Sequence, residues 1–427
     1  MYRTLAILSL TLAAQNWPQF RGPNAAGLAD HSTFPDRWSE TENIAWKTPI
    51  PGMAWSSPVL WGDRIYVTTA ISSADFEPPK KGLYFGGNRG KVTDVHRLLV
   101  MALDAKSGKV IWEREVWKGV PPQSRNLKNS FASETPVTDG NMIYALFGNN
   151  GLWALTKDGK IAWTLPLDAN NTRYGWGTAA SPVLHQGRIY ILKDNDDASV
   201  LLSVDAKTGK IIWKADRAGE KSNWSTPFIW QHDSKTEIIT TGTVKNRSYD
   251  LDGKVIWEFG GMSTIAIPTP LERFGMLFLT SGYVGDNNRP VFVVKPGAKG
   301  TLGAEHIAWQ LPQAGPYNPS PIIYGNYYYT LMDRGFFTAH DARTGTEIYG
   351  KQRIDPAAAA FTASPWASRE KIYVASEDGD TFVIAAGKEY KLLHKNTLSE
   401  MIMATPAIGA DALYIRGAQS LYKIKRP

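Results

Sequence analysis

The chain of 427 residues contains no cysteine. Without a thiol it can form no disulfide, no thiolate metal site and no covalent haem attachment, and it has no Cys for catalysis or for a lipid anchor. Its seven histidines show neither HxH nor HExxH spacing, so a zinc site built from histidine has little support. These absences exclude much of the chemistry open to a protein of this length.

Long apolar runs and concentrated charge are also missing. After residue 14 no stretch approaches the roughly 18 consecutive apolar residues of a membrane helix. The formal net charge of +7 is spread along the chain, mostly on lysines in turns, and gives no basic patch for nucleic acid. With 43% hydrophobic and 20% charged residues, we expect a folded, soluble protein without a membrane span or a nucleic-acid partner, and a monomer.

The first residues read as a targeting segment. Residues 1–14 carry one positive charge at Arg3, an apolar run from Leu5 to Ala13 and small residues before Gln15. This pattern predicts a signal peptide and an exported protein, periplasmic or secreted. The Pro/Gly-rich segment 15–42 is then an N-terminal extension.

The rest of the chain repeats one unit eight times. A Ser/Thr-Pro pair that begins an apolar strand recurs about every 50 residues, and four short strands separated by turn residues fit into each period. A period of this length built from strands predicts a β-propeller with one four-stranded antiparallel sheet, or blade, per repeat. The pairs are Ser57-Pro58, Thr135-Pro136, Ser181-Pro182, Thr226-Pro227, Thr269-Pro270, Ser320-Pro321, Ser364-Pro365 and Thr405-Pro406.

Tryptophan is the residue that is abundant, with 16 copies. The hairpin between the third and fourth strands repeats a small residue, an Asp, a Ser/Thr-Gly turn and a terminal aromatic, as in Ala102-x-Asp104-x-x-Ser107-Gly108-x-x-x-Trp112. The Asp is expected to bond the turn backbone and the Gly to supply a positive φ. The outer-strand tryptophans are predicted to wedge between adjacent blades; they are Trp46, Trp112, Trp163, Trp213, Trp257 and Trp309.

The eighth repeat ends after three strands. The segment Asn43-Ile44-Ala45-Trp46-Lys47 matches the outer strands of the other repeats and supplies the missing one. We therefore expect an all-β, eight-bladed propeller whose ring is closed by an N-terminal strand that completes the C-terminal blade. Residues 43–427 form this single domain, with an insertion at 71–97 in the first blade.

These motifs resemble a known family. The tryptophan-ended hairpin is similar to the docking motif of pyrroloquinoline-quinone-type (PQQ-type) propellers, and segments such as NWPQFRGPNAAG, TRYGWGTAASPV and SNWSTPF resemble exported bacterial PQQ-binding-like β-propeller repeat proteins. The resemblance implies the eight-bladed fold. Its functional implication is broad, because this architecture serves quinone-dependent dehydrogenases, an outer-membrane assembly subunit and members without a defined role.

A ligand site is expected around the central channel, on the face that carries the longer loops. Residues just before the Ser/Thr-Pro pairs should point towards the channel there, and loop residues between the second and third strands should join them. The resulting candidates for ligand contact are Trp55, Ser130, Arg173, Trp176, Asp194, Asn223, Trp224, Arg289, Tyr317, Asn318 and Asp333.

Three of the acidic positions have alternative interpretations. Glu134 breaks the run of small residues before the Ser/Thr-Pro pairs and is the candidate catalytic acid or base, although a salt bridge with Arg125, Lys128 or Arg173 is the favoured explanation. Asp194 and Asp196 offer oxygen ligands for a weak candidate Ca²⁺ site, but the loop lacks the EF-hand glycine and terminal glutamate, which favours a solvated loop.

Three functions are compatible with the sequence. The first is a binding or scaffold propeller of the bacterial cell envelope that recognises a small molecule, a saccharide or an envelope protein. The second is a carbohydrate-active enzyme with a carboxylate pair formed by Glu134 and either Asp194 or Asp333. The third is a dehydrogenase that uses PQQ with calcium, from which the chain departs because it has no vicinal Cys pair and no haem-binding CxxCH.

Overall fold

The protein is an all-β propeller, as the repeat spacing predicts. The computed structural model describes residues 16–427 except Phe76 and Ser234. The predicted signal peptide at 1–14 lies outside the described residues. In this part of the chain 33 strands form eight sheets, each built on four antiparallel strands and each corresponding to one sequence repeat. The fold class expected from the sequence is confirmed.

The first four blades follow the chain order from the channel outwards. Blade 1 contains β2 (Val59–Trp61), β3 (Arg64–Ser72), β4 (His96–Asp104) and β5 (Val110–Gly119), and blade 2 contains β6 (Val137–Thr138), β7 (Met142–Phe147), β8 (Gly151–Thr156) and β9 (Ile161–Leu165). Blade 3 contains β10 (Val183–His185), β11 (Arg188–Lys193), β12 (Val200–Asp205) and β13 (Ile211–Asp216), and blade 4 contains β14 (Phe228–His232), β15 (Lys235–Thr240), β16 (Asn246–Tyr249) and β17 (Val255–Phe259).

The other four blades include the one that joins the two ends of the ring. Blade 5 contains β18 (Leu271–Arg273), β19 (Met276–Thr280), β20 (Val291–Val294) and β22 (Ile307–Leu311), while the short β21 (Gly300–Thr301) leaves it to pair with β17. Blade 6 contains β23 (Ile322–Tyr324), β24 (Tyr327–Leu331), β25 (Phe336–Asp341) and β26 (Glu347–Arg353), and blade 7 contains β27 (Trp366–Ser368), β28 (Lys371–Ala375), β29 (Asp380–Ala385) and β30 (Leu392–Thr397). Blade 8 contains β31 (Ala407–Ile408), β32 (Leu413–Arg416) and β33 (Ser420–Ile424), and its outer strand is β1 (Ile44–Pro49), antiparallel to β33.

Helical structure is confined to single turns of 3₁₀ helix at Pro23–Ala25, Arg173–Gly175 and Ala304–His306 in the described residues. None of these is long enough or apolar enough to cross a bilayer.

The Ser/Thr-Pro pairs form a hydrogen-bonded ring around the propeller axis. At six blade junctions the backbone N–H of one Ser or Thr donates to the side-chain hydroxyl of its counterpart in the next blade, over 2.9–3.1 Å. The following proline has no N–H, so the edge strand that borders the channel exposes one donor fewer. The donors are Ser57, Thr135, Ser181, Thr269, Ser320 and Ser364, and the acceptors are Thr135, Ser181, Thr226, Ser320, Ser364 and Thr405.

Tryptophans connect the blades at the outer rim. In five outer strands the indole N–H donates to a carbonyl oxygen of the hairpin turn in the next blade, over 2.8–3.4 Å, and the ring packs on that turn's glycine. The Asp of the hairpin bonds the turn as expected: Asp104 accepts from the backbone N–H and the hydroxyl of Ser107, both at 2.6 Å. The five are Trp46, Trp112, Trp163, Trp213 and Trp309.

Trp257 is the exception among the predicted wedges. Its indole N–H donates to buried Glu237 of its own blade, over 2.9 Å. The long connection of blade 5 explains the difference, because Gly300 pairs directly with Trp257 when β21 joins the edge of β17 in parallel. A backbone ladder thus replaces the indole-to-turn contact at this junction.

Residues 16–42 cross the face opposite the long loops and contact many blades. Trp17, fully buried, pairs with Leu60 of blade 1 through two backbone hydrogen bonds. The segment then passes the channel, where Phe20 contributes to the cavity wall, and continues into β1. Further contacts along its path join Pro18 to Thr138, Arg21 to Pro321, Ala29 to Ala367, Thr33 to Ala410 and Trp38 to Asn396.

The rim contact can be tested with two glycines of nearly identical backbone conformation. Gly209 and Gly187 both have φ near +72°, but a Cβ on Gly209 would lie 2.5 Å from the Trp163 ring, whereas a Cβ on Gly187 meets nothing within 4 Å. Gly187→Ala should therefore cost only the left-handed backbone strain, about 1 kcal/mol. Gly209→Ala should cost roughly 1–3 kcal/mol more, because the indole must shift. Urea unfolding of both variants measures the difference, and equal losses would contradict indole packing as a source of stability.

Candidate ligand-binding chamber

The inner ends of all eight blades surround one cavity of about 210 Å³ on the propeller axis, here called the central chamber. Its wall combines aromatic rings, amides, one lysine and the hydroxyls of the Ser/Thr ring. Of the residues predicted from the sequence, five line it: Trp55, Trp176, Trp224, Tyr317 and Asn318.

One side of the chamber is an aromatic wall. The rings of Trp176 and Trp224 lie 6.3 Å apart with an interplanar angle of 40°, and Tyr317 belongs to the same apolar cluster. The indole N–H of Trp176 donates to Gly87 and that of Trp224 to Gly177, over 2.9 and 2.8 Å, so both orientations are fixed. These rings therefore present fixed apolar faces, on which a flat ligand can stack.

The insertion in blade 1 forms the roof of the chamber. Its residues Leu83 and Tyr84 line the cavity. The neighbouring Gly82 donates its N–H to Glu377 of blade 7 over 2.9 Å and accepts from the Lys128 ammonium over 3.0 Å. Phe20 of the N-terminal segment also contributes to the lining, so segments outside the eight blades help to shape the chamber.

Sequence reasoning missed the ion pair that anchors this roof. Glu377 is fully buried and binds the Lys128 ammonium, and its other contacts are the Gly82 N–H and the hydroxyl of Thr362 at 2.6 Å. Glu377 lies in the turn between the second and third strands of blade 7. The same loop position was selected at Asp194 and Asp333, so applying the rule to the seventh repeat would have found it.

Asp333 supports the wall from behind and does not face the cavity. Its carboxylate accepts the backbone N–H groups of Tyr317 and Asn318 at 3.0 and 3.1 Å and the side-chain amide of Asn318 at 2.5 Å. Burial raises the pKa of Asp333 to about 6, an effect opposed by the hydrogen bond from Asn318. Asp333 is therefore a positioning residue for two chamber residues.

Glu134 lies outside the central chamber. It is 2% exposed, accepts a hydrogen bond from the Thr178 hydroxyl at 2.6 Å, and borders a separate cavity of about 20 Å³. The expected salt bridge is wrong: among the described residues Lys128 pairs with Glu377, and no cation lies within 4 Å of the Glu134 carboxylate. Burial raises the pKa of Glu134 to about 7 because no charge compensates for lost hydration.

The candidate Ca²⁺ site is also wrong. Both oxygens of Asp194 bind the guanidinium of Arg217, at 2.6 and 2.8 Å, in a pair that is entirely buried. Asp196 instead accepts from the backbone and hydroxyl of Ser222, at 3.2 and 2.8 Å. With the carboxylates committed to different partners, they cannot converge on a cation. In the described part of the chain no three His, Cys, Asp or Glu side chains form a metal-binding group.

The remaining candidates lie near the chamber but do not line it. Ser130 accepts the backbone N–H of Trp55 at 3.3 Å and so helps to fix that residue. Asn223 donates to Asp194 and to the Thr241 carbonyl oxygen. Arg173 and Arg289 donate to backbone carbonyl oxygens, those of Thr264 at 3.0 Å and Val284 at 3.2 Å respectively.

The buried carboxyl of Glu134 predicts a specific pH dependence. Between its ordinary pKa of 4.5 and the folded value of about 7, the unfolded chain releases a proton that the folded chain keeps. The free energy of unfolding therefore falls as the pH rises through this window and levels off above it. Glu134→Gln retains an oxygen for Thr178 and removes the titration. Its free energy of unfolding should therefore rise by ~3 kcal/mol relative to that of the wild type as the pH increases from the ordinary to the folded pKa. Chemical denaturation at several pH values measures this, and parallel pH profiles for the two proteins would contradict it.

Comparison with known families identifies the repeat type. Residues 96–295, blades 1 to 5 in part, match the family model described as "Outer membrane protein assembly factor BamB". The match covers slightly less than half of the chain. No curated protein sequence matches the chain significantly.

Solved structures agree on the fold at low sequence identity. BamB from Moraxella catarrhalis is 11% identical with a TM-score of 0.57, and the alignment covers 83% of this chain and 98% of that one. The quinohemoprotein alcohol dehydrogenase from Comamonas testosteroni is 11% identical with a TM-score of 0.61, covering 97% and 81%. A europium-containing methanol dehydrogenase is 11% identical with a TM-score of 0.60, covering 95% and 90%. On its repeats, its fold and these matches, the chain is a PQQ-like β-propeller protein.

Proposed function

We propose that the protein is a binding propeller of the bacterial cell envelope that holds a small ligand in its central chamber. The chamber itself carries the proposal: all eight blades, the insertion and the N-terminal segment contribute to one cavity. A propeller that served only as a spacer would not need fixed indoles, a buried ion pair and a roof at its axis. Apolar walls with a few convergent polar groups are typical of small-molecule sites.

The envelope location and a wider scaffold role draw on different support. The predicted signal peptide at 1–14 favours export. The matched family model describes an outer-membrane assembly factor, which favours protein partners on the outer surface of the ring. The chamber lies inside the ring, so a ligand there and a partner outside are compatible.

The residues of the chamber do not fit PQQ with calcium. The aromatic wall could stack on a planar quinone, but Ca²⁺ takes 6–8 oxygen ligands, with carboxylates prominent among them. Here Glu377 is consumed by Lys128 and Gly82, and Asp333 by Tyr317 and Asn318. No redox step is therefore assigned to this site.

Carbohydrate cleavage lacks its carboxylate pair. Glu134 and Asp194 do border one cavity, but its volume of about 20 Å³ has room for a water molecule and not for a sugar ring. Asp194 is also held by Arg217, and Asp333 faces backbone N–H groups. The geometry supports binding in the chamber over catalysis by these carboxylates.

A pair of alanine-to-tryptophan variants tests the proposal. Ala179 lines the chamber, and Ala179→Trp should fill much of its volume. The matched control is Ala162→Trp, on the exposed outer strand β9. Thermal-shift and indole-fluorescence titrations against nucleobases, quinones, aromatic acids and monosaccharides should find one-to-one binding to wild type and to Ala162→Trp. Binding to Ala179→Trp should fall at least about tenfold, because blocked contacts cost upwards of 1.4 kcal/mol.

Two results would contradict this assignment. Equal binding by Ala162→Trp and Ala179→Trp would place the ligand outside the chamber. Crystals of the wild type with a compound seated on the rim and the chamber unchanged would do the same.

A further inference from the structure

We propose that the Ser/Thr ring is an oxyanion-binding site, so that the chamber's ligand carries a carboxylate or phosphate group next to a flat apolar part. This inference rests on the proposed function and names the class of ligand. It is carried by the hydrogen-bonding state of the ring, by a buried cation beside it and by an unpartnered indole in the wall.

The ring hydroxyls offer unused donors to the chamber. Seven of them line the cavity, and each is at most 7% exposed. Their oxygens accept N–H groups from the neighbouring blade at six positions, yet within the described residues none of the seven hydroxyl hydrogens is donated to a protein acceptor. A hydroxyl carries one donor and rotates to use it. The seven are Thr135, Ser181, Thr226, Thr269, Ser320, Ser364 and Thr405.

Thr269 shows this most directly. The ring is interrupted before it, since no bond from the Thr226 N–H reaches its hydroxyl in the described structure. Its side chain therefore neither accepts nor donates a hydrogen bond to another residue, although Thr269 is only 2% exposed and lines the chamber. This hydroxyl is therefore free to donate to a ligand in the chamber.

A buried guanidinium without a counter-charge lies beside the ring. Arg21 is fully buried, and its Nη2 donates to the carbonyl oxygen of Pro321, the residue after ring Ser320, at 2.7 Å. Its Nε and Nη1 have no partner, and no carboxylate in the described residues lies within 4 Å of it. Burial lowers the pKa of Arg21 to about 9, which reflects the missing counter-charge. An unpaired buried cation favours an anion nearby.

Two further hydrogen-bond donors belong to residues of the chamber wall. Trp55 belongs to the lining, and its indole N–H is buried and unpartnered. Lys128 contributes an ammonium, and the two acidic groups closest to it, Glu377 and Asp333, have their oxygens occupied by protein donors. Donors without free carboxylates select a ligand whose oxygens only accept hydrogen bonds.

This donor excess decides between ligand classes. A sugar hydroxyl would find only neutral hydroxyl and amide oxygens as side-chain acceptors in the described lining, and it accepts fewer and weaker hydrogen bonds than a carboxylate or phosphate does. An organic cation would meet the Lys128 ammonium in the lining and would have Arg21 behind the ring. A carboxylate or phosphate matches the donors, and its apolar part can stack on Trp176 and Trp224. The cavity of about 210 Å³ limits the ligand to roughly one ring with its substituents.

The experiment compares benzoate with benzamide, which have nearly the same shape and differ in charge. Isothermal titration of the full chain, at constant ionic strength, should show benzoate binding at least about tenfold more tightly than benzamide, because hydrogen bonds to charged groups are stronger. Inorganic phosphate, titrated alone and in competition with benzoate, distinguishes a phosphate-selective site from a carboxylate-selective one.

Two isosteric variants locate the site. Thr269→Val removes a hydroxyl that bonds no other residue, so the melting temperature should change little while benzoate affinity falls about tenfold and benzamide affinity does not. Ser57→Ala is the matched control: its hydroxyl is also buried without a partner, but it does not line the chamber. It should alter neither affinity.

The outcomes separate this inference from the proposed function. If benzamide binds as well as benzoate and both are blocked by Ala179→Trp, the chamber binds ligands but the ring is not an oxyanion site. Equal effects of Thr269→Val and Ser57→Ala on benzoate would also overturn the inference. Tighter binding of phosphate than of benzoate, lost in Thr269→Val, would support the site and assign it to phosphate esters.

Discussion

The architecture depends on one constraint: eight short inner strands must surround the central chamber without leaving their backbone N–H and C=O groups unpaired. The Ser/Thr-Pro pair solves this locally. The hydroxyl of one blade accepts the N–H of the blade before it, and proline removes the next donor altogether. At six of the eight junctions two residues of the repeat therefore specify the contact with the neighbouring blade. The chamber, the hydroxyls that line it and the placement of the aromatic wall all follow from the Ser/Thr ring.

The rim and the N-terminal segment do what disulfides do in many exported proteins. Five indoles clamp adjacent blades through a hydrogen bond and a close glycine contact, as with Trp163 over Gly209. Residues 16–42 add backbone hydrogen bonds to blades 1, 2, 7 and 8. These interactions are spread over many junctions. The stability of the ring therefore depends on no disulfide that a reductant could break.

How much the sequence predicts depends on the range of the interaction. The blades, the docking motif and the inward position of Trp55, Trp176 and Trp224 follow from local repeats, so they can be read from one sequence. Partners chosen by the tertiary fold cannot. Asp194 binds Arg217, which directly follows the outer strand of the same blade. Gly82 donates its N–H to Glu377, which is 295 residues further along the chain. Loop position alone assigned Asp194 to metal or catalysis and passed over Glu377, whereas burial and the nearest cation decide the roles of both. Trp257 shows the same limit, because a rare fifth strand altered its junction.

The pairing of β1 with β33 has a consequence for biogenesis. β1 lies near the start of the described chain and β33 near its end. The contacts of residues 16–42 with blades 7 and 8 likewise join early and late parts of the sequence. Early blades can collapse as they emerge, since their contacts are local, but β1 has no partner until the last repeat has been synthesised. During that interval its edge is open to pairing with another chain. Blade 8 therefore cannot close before the last repeat has been synthesised, and a chain that stops short of β33 leaves the edge of β1 unpaired.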